Sequence, residues 1–194
     1  MDTGCTGRCA ETPAEPRRSA STVVPEAGAP PKRAGPGFSR EWEQFVGAVP
    51  AAEREGDLCA AYARLLADPD PQVRAQAARQ WCAWEDTHMS LTPGWAPDLS
   101  NRDPQFQLTF ARLVTHYWSH GCFLEEGQIL AHMHRLGDIP AVLIHGRYDV
   151  SGPLDTAWHL HRAWPESNLV VLDDAGHGGG SFTSEIVAAL DSSP

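Results

Sequence analysis

Lysine is almost absent: of 15 basic residues in a chain of 194, only Lys32 is a lysine. Positive charge as a whole is scarce, with 15 Lys+Arg against 25 Asp+Glu and a formal net charge of −10. Such a surface repels a polyanion, so no nucleic-acid partner is expected. Long apolar runs are also missing. None approaches the roughly 18 residues that a membrane span requires, so no membrane association is expected. The opening Met1-Asp2-Thr3-Gly4-Cys5 has no apolar stretch behind it and does not read as a secretory signal. The cysteines (Cys5, Cys9, Cys59, Cys82 and Cys122) are odd in number and show no Cys-x-x-Cys spacing. This argues against a disulfide scaffold or a thiolate zinc site and for a reducing compartment, so a cytoplasmic location is expected. What remains is ordinary for a soluble globular chain, 42% apolar and 21% charged. The length suits one domain, or one domain with a tail.

Three segments are expected. Residues 1–37 hold six prolines and five glycines, with only Met1, Val23 and Val24 as large apolar side chains. Such a stretch buries too little surface to offset its ordering entropy and reads as a disordered tail. Residues 38–137 read as helical. Trp42, Phe45 and Val46 share one side, and Leu58, Tyr62, Leu65 and Leu66 recur at helical spacing. Asp70-Pro71 is an N-cap followed by proline at the first helical position, opening an amphipathic helix to about His88 through Val73, Ala77, Trp81 and Trp84. Leu91–Pro104 is a loop. Phe106, Phe110, Leu113 and Tyr117 mark a further helix, and a short one runs from Glu125 to Arg135. Residues 138–194 change character. Pro140–His145 and Asn168–Leu172 are short buried strands, with a helix from Pro153 to Trp164 between them and another over Phe182–Leu190. Strand, helix, strand, helix is a βαβ unit with a capping helix, placing the chain in the α/β class.

In parallel sheets the reactive groups collect in loops at the carboxyl ends of the strands. Two such loops exist, Gly146-Arg147-Tyr148-Asp149 and Ala175-Gly176-His177-Gly178. One crossover apart, Asp149 and His177 fall on the same rim. A carboxylate there can bond the imidazole Nδ1–H, fix its tautomer and stabilise its cation. The residues alone leave open that Asp149 caps the following helix and that His177 is only a loop residue among glycines.

The order of elements around Gly146-Arg147-Tyr148-Asp149 and Gly176-His177 resembles the end of an α/β-hydrolase, in which serine, acid and histidine follow one another along the chain. The wording is similar to that of the proline iminopeptidases (prolyl aminopeptidases). It covers an acid loop like Ile144-His145-Gly146-Arg147-Tyr148-Asp149-Val150, a helix like Ala157-Trp158-x-Leu160-x-x-Ala163-Trp164-Pro165, and a helix like Ala77-Ala78-x-x-Trp81-x-x-Trp84-Glu85. The resemblance spans roughly residues 38–190. It implies a truncated α/β-hydrolase, a helical cap followed by the last β-α-β-α of the sheet, acting on peptides with a free N-terminal proline and without a cofactor. It implies Asp149 as the triad acid and His177 as the general base. Glu85 would bind the substrate's α-ammonium, with Trp81 and Trp84 as aromatic walls; read without the resemblance, Glu85 is a solvated helix residue and both tryptophans are core.

Two departures stand out. The family's second cap helix reads like Glu-Asn-His-Tyr-Phe where this chain has Val114-Thr115-His116-Tyr117-Trp118. Val114 cannot act as a second ammonium ligand, which implies weaker amine binding or altered specificity. The nucleophile is the larger departure: no serine has glycine two residues away on both sides, as the Gly-x-Ser-x-Gly elbow requires. Ser39 and Ser119 each have one such glycine, while Ser151 and Ser181 lie after the acid. A His-Gly-Gly-Pro-type oxyanion loop is absent too. No peptidase activity is therefore expected of the chain alone. A non-catalytic remnant or an interaction module is the alternative, since a two-stranded sheet leaves an edge through which it could dock or self-associate. No metal is expected. His132 with His134 and His159 with His161 point to different helix faces, and His116 with His120 lacks a third ligand.

Overall fold

The computed structural model describes residues 38–89, 91 and 103–192. The tail expected over 1–37, with Cys5 and Cys9, lies outside these, as does most of the loop after Leu91. The helical part contains α1 (Ser39–Gly47), α2 (Leu58–Leu66), α3 (Pro71–Met89), α4 (Pro104–Ser119) and the single turn α5 (Gln128–Ala131). The sheet part is β1 (Ala141–Gly146), α6 (Leu154–Ala163), β2 (Ser167–Leu172) and α7 (Phe182–Asp191).

Local sequence sets the helix starts. Asp57 accepts a hydrogen bond from the Ala60 amide at 3.0 Å, and Asp103 accepts from the Phe106 amide at 2.8 Å ahead of Pro104. Asp70 does the same for the Gln72 amide at 2.8 Å, with Pro71 opening α3. Each carboxylate satisfies an amide that the first helical turn leaves without a partner, and each is suited to the positive end of the helix dipole.

α1 to α4 pack around an aromatic centre. Phe45 stacks on Tyr62 with ring centroids 4.5 Å apart, and Trp81 meets both edge-on. The Tyr62 hydroxyl donates to the Phe45 carbonyl at 2.8 Å, and burial raises its pKa. Leu66, Val49 and Ala111 are among the residues buried with them. The thiols of Cys59 and Cys82 sit in this core with their pKa pushed up to about 12, chiefly by burial, so both behave as small apolar groups.

On α4 the inward residues are Ala111 and Thr115, with Leu108, Phe110, Val114 and Trp118 packed beside them. The large residues that mark the helix in sequence mostly face out: Phe106, Leu113 and Tyr117 are exposed. Small residues face inward because α2 and α3 both pack on α4, and Arg112 Nε reaches the Leu66 carbonyl at 2.9 Å. The helix expected over Glu125–Arg135 is two pieces, α5 and a 3₁₀ turn over Met133–Leu136.

β1 and β2 pair in parallel, from Ala141 opposite Ser167 to Gly146 opposite Leu172. α6 packs on both strands and α7 on β1. Trp164 closes the crossover: its indole N–H donates to the Ile139 carbonyl at 2.9 Å, at the foot of β1. Among the described residues these two strands are the whole sheet, and Val142, Ile186, Val187 and Leu190 remain exposed beside it. No described helix is long and apolar enough to cross a membrane.

Candidate active site

The site forms where β1 and β2 end side by side. Beyond the last ladder pair the two loops stay tied through the backbone: the Arg147 amide donates to the Leu172 carbonyl at 2.8 Å and the Tyr148 amide to the Ala175 carbonyl at 3.0 Å. Arg147 also pairs with Asp173 across the loops. The approach is close enough to require glycine at the end of β1. A Cβ on Gly146 would lie 2.0 Å from the Gly176 carbonyl oxygen and 2.6 Å from that of Ala175.

This junction places the Asp149 carboxylate at the Nδ1 edge of the His177 ring. His177 Nδ1 and Asp149 Oδ2 are 2.9 Å apart, with the carboxylate side chain only 8% exposed and the imidazole 52% exposed. Asp149 Oδ1 accepts from the Gly152 amide at 2.8 Å and from the Ser151 hydroxyl at 3.1 Å. A second imidazole stands nearby, with His145 Nε2 at 3.9 Å from Oδ2. Burial works against the charge on Asp149. Hydrogen bonds from His177, Gly152 and Ser151 outweigh it and hold the carboxyl below its ordinary value. The hydrogen bond to Asp149 raises the His177 pKa, against the opposing effect of burial, with added support from the charges of Asp149 and Glu85. No hydrogen bond among the described residues reaches His177 Nε2, the edge turned away from Asp149.

Glu85, on α3, lies within electrostatic reach of His177 although 92 residues separate them in the chain. Burial pushes its carboxyl up to about 7, while the His177 charge and the Trp81 indole N–H, one helical turn back, draw it down. That indole contact falls short of a well-formed hydrogen bond. Trp81 and Trp84, expected as aromatic walls, lie in the helical core. They are 0% and 2% exposed, Trp81 against Phe45, Tyr62 and Trp118, and Trp84 against Trp42 and Phe45. Burying both rings in the helical core fixes the last turns of α3, and with them the carboxyl of Glu85.

The Glu85 environment has a consequence for stability. Its pKa is 4.5 in an unfolded chain and about 7 when folded, so the folded state holds the proton more tightly. Stability from this group is full below pH 4.5 and is lost as pH rises through about 7. The raised His177 pKa has the same sign, its contribution fading as pH rises through the folded value. The lowered Asp149 pKa has the opposite sign, its contribution fading only as pH falls through the folded value. Glu85→Gln is therefore expected to stabilise the chain at pH 8 by on the order of 2 kcal/mol and to change little at pH 4. Urea denaturation at the two pH values measures this; equal effects at both would contradict it.

Sequence reasoning brings Asp149, His177 and Glu85 into view, but not Ser151 as a partner of the pair, nor His145 beside it. The usable signal was Asp149-x-Ser151-Gly152, a pattern in which an aspartate side chain bonds the backbone just ahead of it. Val114 packs against the helical core, partly buried. The rings of His116 and His120 are 4.8 Å apart beside Phe123. Among the described residues no three His, Cys, Asp or Glu side chains converge as a metal would need.

No family model matches the chain. Three relatives do. A probable proline iminopeptidase of Streptomyces coelicolor is 42% identical over 159 residues, covering 79% of this chain and 49% of the relative. The proline iminopeptidase of Xanthomonas citri is 41% identical over 154 residues, covering 79% and 48%. That of Arabidopsis thaliana is 35% identical over 151 residues, covering 76% and 40%. The chain spans about half the length of the curated relatives it matches, and the match falls in their C-terminal half. With 41% and 42% identity to the two bacterial relatives over 79% of its length, the chain belongs to the proline iminopeptidase family.

Proposed function

We propose that residues 38–192 form the cap and acid–base half of an α/β-hydrolase that releases N-terminal proline from peptides. The observation that carries this is the 2.9 Å contact between His177 Nδ1 and Asp149 Oδ2, with no hydrogen bond to Nε2 among the described residues. A base in this state can take a proton from an attacking hydroxyl at Nε2 and return it to the leaving amine, while Asp149 stabilises the cation formed in between. Glu85 supplies a carboxylate for the α-ammonium of the first residue. Its raised pKa fits a site that is neutral when empty and charged once a cation arrives.

The sequence contains no nucleophile elbow, and acyl transfer needs nucleophile, base and oxyanion donors together. The 194-residue chain assayed with a proline nitroanilide is expected to give no turnover. A chimera in which residues 38–192 replace the matching segment of the Streptomyces coelicolor relative is expected to cleave it. Turnover by the chain alone, abolished by His177→Ala, would contradict the first expectation. A folded but silent chimera would contradict the second and leave the alternative: a non-catalytic module that docks or self-associates through its sheet edge. The apolar surface of Ile186, Val187 and Leu190 beside an open two-stranded sheet favours that reading.

A further inference from the structure

We propose that Ser151 is a positioning residue for His177: its hydroxyl closes a three-membered hydrogen-bond ring that selects the tautomer with the proton on Nδ1 and keeps Nε2 turned outward. This rests on the reading of Asp149 and His177 as an acid–base pair and goes beyond it, because a pair of this kind needs only the two residues.

The ring is built from three short contacts. Ser151 Oγ is 3.1 Å from Asp149 Oδ1 and 3.0 Å from His177 Nδ1, and His177 Nδ1 is 2.9 Å from Asp149 Oδ2. Proton inventory fixes the directions. Asp149 can only accept when ionised, and a serine hydroxyl has one proton and two lone pairs. The Ser151 proton goes to Oδ1, leaving its lone pairs facing Nδ1. Nδ1 then meets two acceptors and no donor, so it must carry the proton, shared between Oδ2 and Oγ. Turning the ring over would set a carbon against both acceptors, so two partners hold the imidazole more firmly than Asp149 alone.

The same geometry excludes Ser151 as the nucleophile. It touches Nδ1, the nitrogen facing the carboxylate, and not Nε2, where a reacting hydroxyl must lie. Its placement comes from the Asp149–Gly152 turn, in which the Gly152 amide holds Oδ1 at 2.8 Å and brings the intervening Ser151 back over the carboxylate. Hydrogen bonding by Ser151 is also among the influences that lower the Asp149 pKa.

The test uses the full chain and nuclear magnetic resonance, without any activity. In the native protein, long-range proton–nitrogen spectra should show His177 as the Nδ1–H tautomer when neutral. Ser151→Ala is expected to move the Asp149 carboxyl midpoint upward, toward its ordinary value. It should also speed solvent exchange of the Nδ1 proton and populate the Nε2–H tautomer. Ser151→Thr, which keeps the hydroxyl, is expected to restore all three. Native-like midpoint, exchange and tautomer in Ser151→Ala would overturn the role of Ser151 while leaving the pair standing. A native protein whose neutral His177 carries its proton on Nε2 would overturn both.

Discussion

Trp81→Ala should destabilise the helical half by about 3–5 kcal/mol, the range for removing a large aromatic from a packed core. The ring is fully buried. It meets Phe45 at 5.6 Å and Tyr62 at 5.3 Å, both edge-on, and Trp118 at 5.7 Å. These neighbours lie on α1, α2 and α4, so one side chain on α3 links the four helices around the aromatic centre. Truncation leaves a void that none of them can fill without moving, and Phe45 is already held by its stack on Tyr62. Against a typical total of about 5–15 kcal/mol, the loss is large enough to populate unfolded chain at ambient temperature. Circular dichroism during urea denaturation measures it. Leu190→Ala, on a side chain 70% exposed, should stay within about 0.5 kcal/mol as the control. A Trp81→Ala loss below about 1 kcal/mol would show that the aromatic centre does not hold the helices together.

How far the sequence carried the fold depended on which patterns had a single reading. Asp70-Pro71 marks a helix start by its own chemistry, and α3 begins there; Asp103-Pro104 carries the same signal for α4 but stayed hidden at the end of the expected Leu91–Pro104 loop. The strands were legible because a short apolar run closed by Gly146 fits few alternatives. α4 was harder. Its large apolar residues recur at helical spacing, yet the inward face is Ala111 and Thr115, because contact with two neighbouring helices favours small side chains. Periodicity locates a helix; which face is buried depends on neighbours brought in from elsewhere in the chain.

The same distinction runs through the site. Asp149 and His177 were legible because strand ends are a predictable place for chemistry, and the parallel register carries both to one rim. Trp81 and Trp84 carry the family's pattern, but a pattern does not say whether a ring faces substrate or core. Here both are buried in the core, on the helix that carries Glu85. Ser151 stayed hidden because its part depends on distances of about one hydrogen bond, which spacing cannot resolve. Gly146 shows the reverse case: a glycine that reads as a strand terminator also permits the contact between loops on which the pair depends.

Asp149→Asn should cut turnover of the chimera by about 10⁴, the loss seen when a serine-protease triad aspartate becomes asparagine. The structure supplies the reason. An asparagine must choose which of its two side-chain positions carries oxygen. The Gly152 amide, 2.8 Å from Oδ1, can only donate, so the oxygen goes there and the amide nitrogen takes the Oδ2 position. That nitrogen then directs its protons at His177 Nδ1, 2.9 Å away in the native chain. Nδ1 must become an acceptor, the imidazole proton moves to Nε2, and the nitrogen that should take a proton from the nucleophile already holds one. The negative charge that raises the His177 pKa is lost in the same step, so the pKa should fall. Both effects are measurable without turnover: nitrogen shifts in the 194-residue chain should report the Nε2–H tautomer and a lower titration midpoint. Were the variant to keep the native tautomer and the chimera its full rate, Asp149 would be a turn-forming residue that happens to touch a histidine, and the acid–base assignment would fall with it.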